Sequence, residues 1–262
     1  MPFPRSSRVI FRQNPLIEVI CQLRFPPILM ISSEPPAKFQ ERIRRAYPLY
    51  QRIDAPLGLP PEVARLFSQL PISIPGANVT HQFSNSDQTR FVTLSEGFVA
   101  VSEQRYQRWE EFKSEVSLAE LAVREIYNPE FYSRVGLLYQ NTIDRERWGL
   151  GGVDWSELLH PSFSGLLGAE DVRGLVREST STESITVPEV QDALVTIRHG
   201  LASVADGGRL AYTISADFYK QGRCISEQAF GELDIFNRLA GDLFRWAITS
   251  RLEEALDPRP VD

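Results

Sequence analysis

Three histidines, two cysteines and one glycine-rich turn are where catalytic or metal chemistry would have to begin in this chain. His81, His160 and His199 are scattered, without cysteine or histidine companions at ligand spacing, so the sequence carries no zinc signature. His160, in ELLHPSF, reads as a helix-end residue meeting backbone carbonyls. The turn GLGGVDW, with Gly149, Gly151 and Gly152, lacks the lysine of a phosphate loop and the spacing of a dinucleotide fingerprint. No glycine-x-serine-x-glycine elbow anchors a hydrolase triad. Cys21 and Cys224 read as buried free thiols, which behave as small hydrophobes. The expectation is a protein without catalytic residues, cofactor or metal.

A different kind of candidate lies in RVGLLYQNTID, residues 134–144. Val135, Leu137, Tyr139 and Ile143 share the core-facing phase of a strand, and Asn141 falls in that phase too. A buried amide needs hydrogen-bond partners, and Asn237, on the apolar side of the last helix, is the partner expected by position. Arg24, Tyr139, Asn141 and Asn237 are therefore the candidate ligand-binding residues. The same side chains could instead fasten sheet to helix.

The composition fits a globular protein: 262 residues, 42% hydrophobic and 24% charged, with no apolar run long enough to span a membrane. The first residues, MPFPRSSRVIF, lack the continuous apolar stretch of a secretion signal, so a cytoplasmic location is the default expectation. Residues 1–131 carry 15 basic and 14 acidic side chains and the remainder 13 and 20, giving a net charge of −6 overall. A nucleic-acid binder would show a basic excess, so nucleic acid is not an expected partner. The local cluster Arg42, Arg44, Arg45 and Arg52 reads as a solvated face.

Stepping along the chain, a strand is predicted over 15–25, and a short helix over SSEPPAKFQERIRRAYP with Ser33 as its cap. Ten of the 18 prolines fall between 26 and 75, which predicts irregular chain over 48–78 with a helical turn at PPEVARLF. Strands over 79–85, 90–95 and 98–102 lead to a helix over 106–126. The order then repeats: a strand over 132–144, helical turns in DWSELLHPSFSGLL, strands near 172–182, 190–199 and 209–219, and a helix over 226–256. This predicts an α+β fold made of duplicated β-α-β-β-β-α units, about 12–128 and 129–257, within one pseudo-symmetric domain. Their strands would join into one curved antiparallel sheet, covered on one face by the two long helices.

Four segments, NPLIEVICQLRFP, GFVAVSEQRYQRWEEF, FYSRVGLLYQNTID and FNRLAGDLFRWAITSRL, occur in an order that resembles a sporadically distributed prokaryotic family of unknown function. The shared positions are Pro15 to Glu18, Tyr106 with Trp109 and Glu110, Arg134 to Asn141 (an R-x-G-L-x-Y-x-N strand), and Asn237 with Ile248 and Thr249. Leu138 departs from the pattern, standing where that family carries a second arginine, and residues 48–78 depart as well. The resemblance spans nearly the whole chain and implies no activity. Sporadic occurrence fits a non-enzymatic interaction module in a multi-gene bacterial system, such as defence or a toxin–antitoxin pair, with a protein partner. The alternative is a small-molecule or lipid binder with a pocket between sheet and helices.

Overall fold

The computed structural model describes residues 3–54, 79–203 and 209–260. Among them are eleven strands and seven α-helices, an α+β fold. The strands are β1 (Val9–Phe11), β2 (Leu16–Arg24), β3 (Leu49–Asp54), β4 (Val79–Ser84), β5 (Arg90–Ser95), β6 (Phe98–Glu103), β7 (Tyr132–Ile143), β8 (Ser181–Thr186), β9 (Ala193–Ser203), β10 (Leu210–Cys224) and β11 (Pro258–Pro260). The helices are α1 (Met30–Ser33), α2 (Ala37–Ile43), α3 (Trp109–Tyr127), α4 (Trp155–Leu158), α5 (Pro161–Ser164), α6 (Ser226–Ala247) and α7 (Ser250–Ala255). Nine strands form one sheet in the order β3-β4-β5-β6-β2-β7-β10-β9-β8, and β1 pairs with β11. No described helix is long and apolar enough to cross a membrane.

The chain divides into two compact units, Glu18–Leu138 with Tyr219–Leu233, and Met1–Ile17 with Tyr139–Phe218 and Asp234–Asp262. In the first, α3 forms because Phe112, Val116, Ala119 and Val123 recur on one buried face. It ends at Asn128, which adopts a left-handed conformation and donates its backbone N–H to the carbonyls of Arg124 and Val123, just before Pro129. The helix packs on β6 and α2. Phe39, Phe83, Phe112 and Val92 are wholly buried in this unit, with Phe39 and Phe83 at 5.4 Å.

Antiparallel register assigns each strand residue of this unit to a face. Val19 stands opposite Glu103, and Glu103 opposite Arg90. Arg90 donates to Glu103 at 2.7 Å and to Glu115 of α3 at 2.5 Å, while the Tyr47 hydroxyl donates to Glu115 at 2.8 Å. The Val19–Glu103–Arg90 face is therefore the α3 face. Burial and the Glu115 carboxylate push the Tyr47 hydroxyl well above the usual tyrosine range.

The second unit is closed by its terminal segments. β1 lies against β11, Phe3 packs on Trp246 at 5.4 Å, and the Ser6 backbone N–H and hydroxyl both donate to Asp242 Oδ1 at 2.9 Å. Tyr212, Phe218, Phe236 and Leu239 fill its core.

Several expectations are corrected. Ser33 ends α1 rather than capping the next helix, and Pro36 precedes α2. Residues 49–54, read as irregular, form β3, because this stretch is free of proline and pairs with β4 from Leu49↔Ser84 to Asp54↔Val79. The helical turn expected at PPEVARLF lies outside the described residues. The strand expected near 172–182 is displaced to Ser181–Thr186, a mostly polar edge strand with little apolar periodicity to reveal it. The last helix breaks at Ile248. There Ile248 forms a bridge with Leu159, the Ala247 carbonyl accepts from His160 N, and Thr249 N donates to the Leu158 carbonyl at 2.9 Å. Two β-branched residues thus join the backbone of 158–160 in place of a further helical turn.

Candidate functional site

Tyr139, Asn141 and Asn237 fall in one compact unit, and Arg24 in the other. The Tyr139 hydroxyl donates to Asn237 Oδ1 at 2.7 Å, which fixes β7 to α6. Asn141, buried as expected, finds a different partner from the one expected: its Nδ2 reaches the Ile214 carbonyl of β10 at 3.5 Å. Three of the four candidate residues are thus engaged in bonds within the fold. These lengths set two expected outcomes. Tyr139→Phe should lower stability by about 1 kcal/mol, the net value of one good hydrogen bond, whereas Asn141→Leu should cost less, because 3.5 Å is a weak bond. Chemical denaturation of both variants checks the order.

The other phase of β7 builds a different environment. Arg134 is only 4% exposed; it donates Nη1 to Gln22 Oε1 at 3.3 Å, and its guanidinium lies 4.6 Å from the centre of the Tyr219 ring. Gly136, two residues on and on the same face, makes this position possible. A Cβ there would stand 2.2 Å from Arg134 Nη1, so the guanidinium lies flat over the missing side chain. The R-x-G part of the strand motif thereby acquires a physical reason.

On β2, Gln22 and Arg24 share this face, and register brings Ser102 to it through Ile20↔Ser102 and Gln22↔Ala100. It is the face turned away from α3. Arg24 is half-buried, and its burial and the like charge of Arg134 lower its proton affinity. Gln22 and Ser102 are each 1% exposed, and Gln22 Nε2 and Ser102 Oγ are buried without a hydrogen-bond partner among the described residues. The cluster Arg24–Gln22–Ser102–Arg134–Tyr219 therefore joins two arginines to buried polar side chains on one sheet face, and the alternation of β2 places Glu18 on that face as well. Of these five, only Arg24 was expected from the sequence. Gln22 alternates with apolar neighbours and reads as solvent-facing; the arginine–x–glycine pair was the available signal.

No family model matches this chain, and no curated protein matches it.

His81 and His160 have structural partners. His81, 2% exposed, lies between the Tyr50 hydroxyl at Nδ1 and the Ile31 carbonyl at Nε2, both at 3.0 Å. His160 begins α5 rather than ending a helix, its Nδ1 accepting from Ser162 N at 3.2 Å. Neither cysteine is in a disulfide. Burial and the neighbouring Glu232 carboxylate push the Cys224 thiol up to about 12. No group of three or more histidine, cysteine or acidic residues able to hold a metal occurs among the described residues.

His199 carries a pH prediction. The Tyr212 hydroxyl stands 2.5 Å from the Phe163 carbonyl, to which it must donate, and 2.5 Å from His199 Nδ1. Nδ1 therefore carries a proton, and Nε2 faces Glu183 at 3.3 Å. Burial lowers the imidazole's proton affinity, and the half-exposed Glu183 carboxylate only partly opposes this. The unfolded chain then takes up its proton first as pH falls below about 6.5, so stability present at pH 7.5 is lost on acidification. Between pH 7.5 and 5 the melting temperature should fall more steeply for the wild type than for His199→Gln. Parallel profiles would assign the acid sensitivity elsewhere.

Proposed function

We propose that this protein is a non-enzymatic interaction module that receives a partner at Arg24, the half-buried end of β2 on the sheet face turned away from α3. The observation that carries this reading is a half-buried arginine at the margin of a face where Gln22 Nε2 and Ser102 Oγ are buried with no hydrogen-bond partner among the described residues. Native folds rarely leave such groups uncommitted without a reason. In this unit the interval between sheet and α3 is filled by Phe39, Phe83 and Phe112, which favours the other face over a small-molecule or lipid pocket beneath the helices.

The mirrored strand order about β2 and β7 supports the duplicated β-α-β-β-β-α architecture, with one long helix contributed by each copy to a common face. β6-β5-β4 continue outward from β2, and β10-β9-β8 from β7. On this reading the chain is one pseudo-symmetric domain, and the resemblance to a sporadic prokaryotic family fits a component of a multi-gene bacterial system with a protein partner in the cytoplasm.

The test is co-expression of tagged protein with the genes that neighbour its own. Wild type should recover a stoichiometric partner and Arg24→Glu should lose it, while Leu121→Glu, at an exposed position of α3, retains it. Equal recovery by Arg24→Glu would place the contact elsewhere.

A further inference from the structure

We infer that the outer edge of β8 is a self-association surface: two copies of this chain pair their β8 strands antiparallel, about a two-fold axis at Ser184. The strand belongs to a different compact unit from Arg24 and shares no residue with that contact.

Hydrogen bonding shows which backbone groups the edge offers. β8 and β9 run in one unbroken register, from Ser181↔His199 to Thr186↔Leu194. On that same register Ser179 N donates to the Leu201 carbonyl and Val187 N to the Ala193 carbonyl, both at 2.9 Å. Residues 179 and 187 thus belong to hydrogen-bonded pairs, and every second residue between them turns its backbone groups towards β9 as well. The alternate residues Thr182, Ser184 and Thr186 therefore turn N–H and C=O outward, where β8 ends the strand order among the described residues. All three are exposed.

Few of the usual guards protect this edge. Protected edges carry lysine, proline, a bulge or an inward-pointing charge. Ser181–Thr186 holds no lysine or proline, and its register has no bulge. Its single charge is Glu183, which accepts from Ser181 Oγ and faces His199 Nε2 at 3.3 Å. That carboxylate selects a register rather than blocking all of them.

Residues that exchange bonds across the new edge must be outward-facing on both copies, so the two-fold falls on Glu183, Ser184 or Ile185. Centred on Glu183, the two carboxylates oppose each other in a non-hydrogen-bonded pair, with Cα atoms about 4.5 Å apart. Centred on Ile185, Thr182 meets Pro188, which has no N–H to give. Centred on Ser184, Ser184 meets its own copy and Thr182 meets Thr186 of the second copy. All three outward residues then find both a donor and an acceptor, and threonine stands against threonine. The edge is thus complementary to itself, which is what a two-fold contact requires. A strand pair of this length buries less than about 1,200 Å², so the dimer is weak and concentration-dependent.

The experiment is sedimentation equilibrium of the purified full chain from micromolar to near-millimolar concentration. The average mass of the wild type should rise with concentration from monomer towards dimer. Ser184→Lys sets like charges opposite each other at an exposed position and leaves the bonds to β9 in place. It should stay monomeric and melt at the wild-type temperature, and Ser184→Glu should do the same. An equimolar mixture of the two variants should regain the dimer, because opposite charges then meet on the axis. A wild type that stays monomeric throughout, a Ser184→Lys variant that still dimerises, or a mixture that does not regain the dimer overturns the pairing.

Discussion

Arg90→Met should destabilise the protein by about 3 kcal/mol, the cost of removing one member of a largely buried ion-pair network. Arg90 is the cation that both Glu103, at 2.7 Å, and Glu115, at 2.5 Å, share. Glu103 has only 8% of its side chain exposed and Glu115 20%, so neither carboxylate recovers full hydration when the guanidinium is withdrawn. Tyr47 adds its hydroxyl to Glu115, so the network joins β5, β6 and α3 to the chain that follows α2. The loss should come chiefly from stranded carboxylates rather than from a missing attraction. Adding Glu103→Gln to Arg90→Met should therefore restore a substantial part of the stability, as measured by urea denaturation of the single and double variants. A double variant no more stable than Arg90→Met would show that the attraction itself dominates.

Gly136→Ala should cost about 2 kcal/mol, a large effect for one methyl group. The new Cβ would stand 2.2 Å from Arg134 Nη1 and 2.9 Å from its Cζ, so the guanidinium must leave the surface of β7. In leaving, it gives up the bond to Gln22 and its place over Tyr219. The arginine is the flexible partner, but it is buried and has little room to retreat. The signature is non-additivity: with Arg134→Ala already present, Gly136→Ala should be nearly neutral. Equal costs in both backgrounds would locate the strain in the backbone instead.

The sequence disclosed those parts of the fold that depend on period. Alternation in β2, β4, β5, β6 and β7 and the apolar stripe of α3 are each visible within a dozen residues, and each forms where expected. Features that depend on distant register were not visible. Asn141 could be recognised as a buried amide, but its pairing with the Ile214 carbonyl, and that of Asn237 with Tyr139, follows from how β10 and α6 are placed beside β7. β3 was hidden by the prolines around it, and β8 by its polar, edge-strand composition. Within the candidate site, Arg24 stood out as a charge in a strand. Gln22 and Ser102 did not, because alternation assigns polar residues to solvent and says nothing of a polar face that is itself buried.

The central proposal is that the protein receives a partner at Arg24. Its most direct measurement is recovery of a co-expressed partner by wild type, Arg24→Glu and Leu121→Glu. The account predicts that Arg24→Glu alone loses the partner, and equal recovery by all three would contradict it.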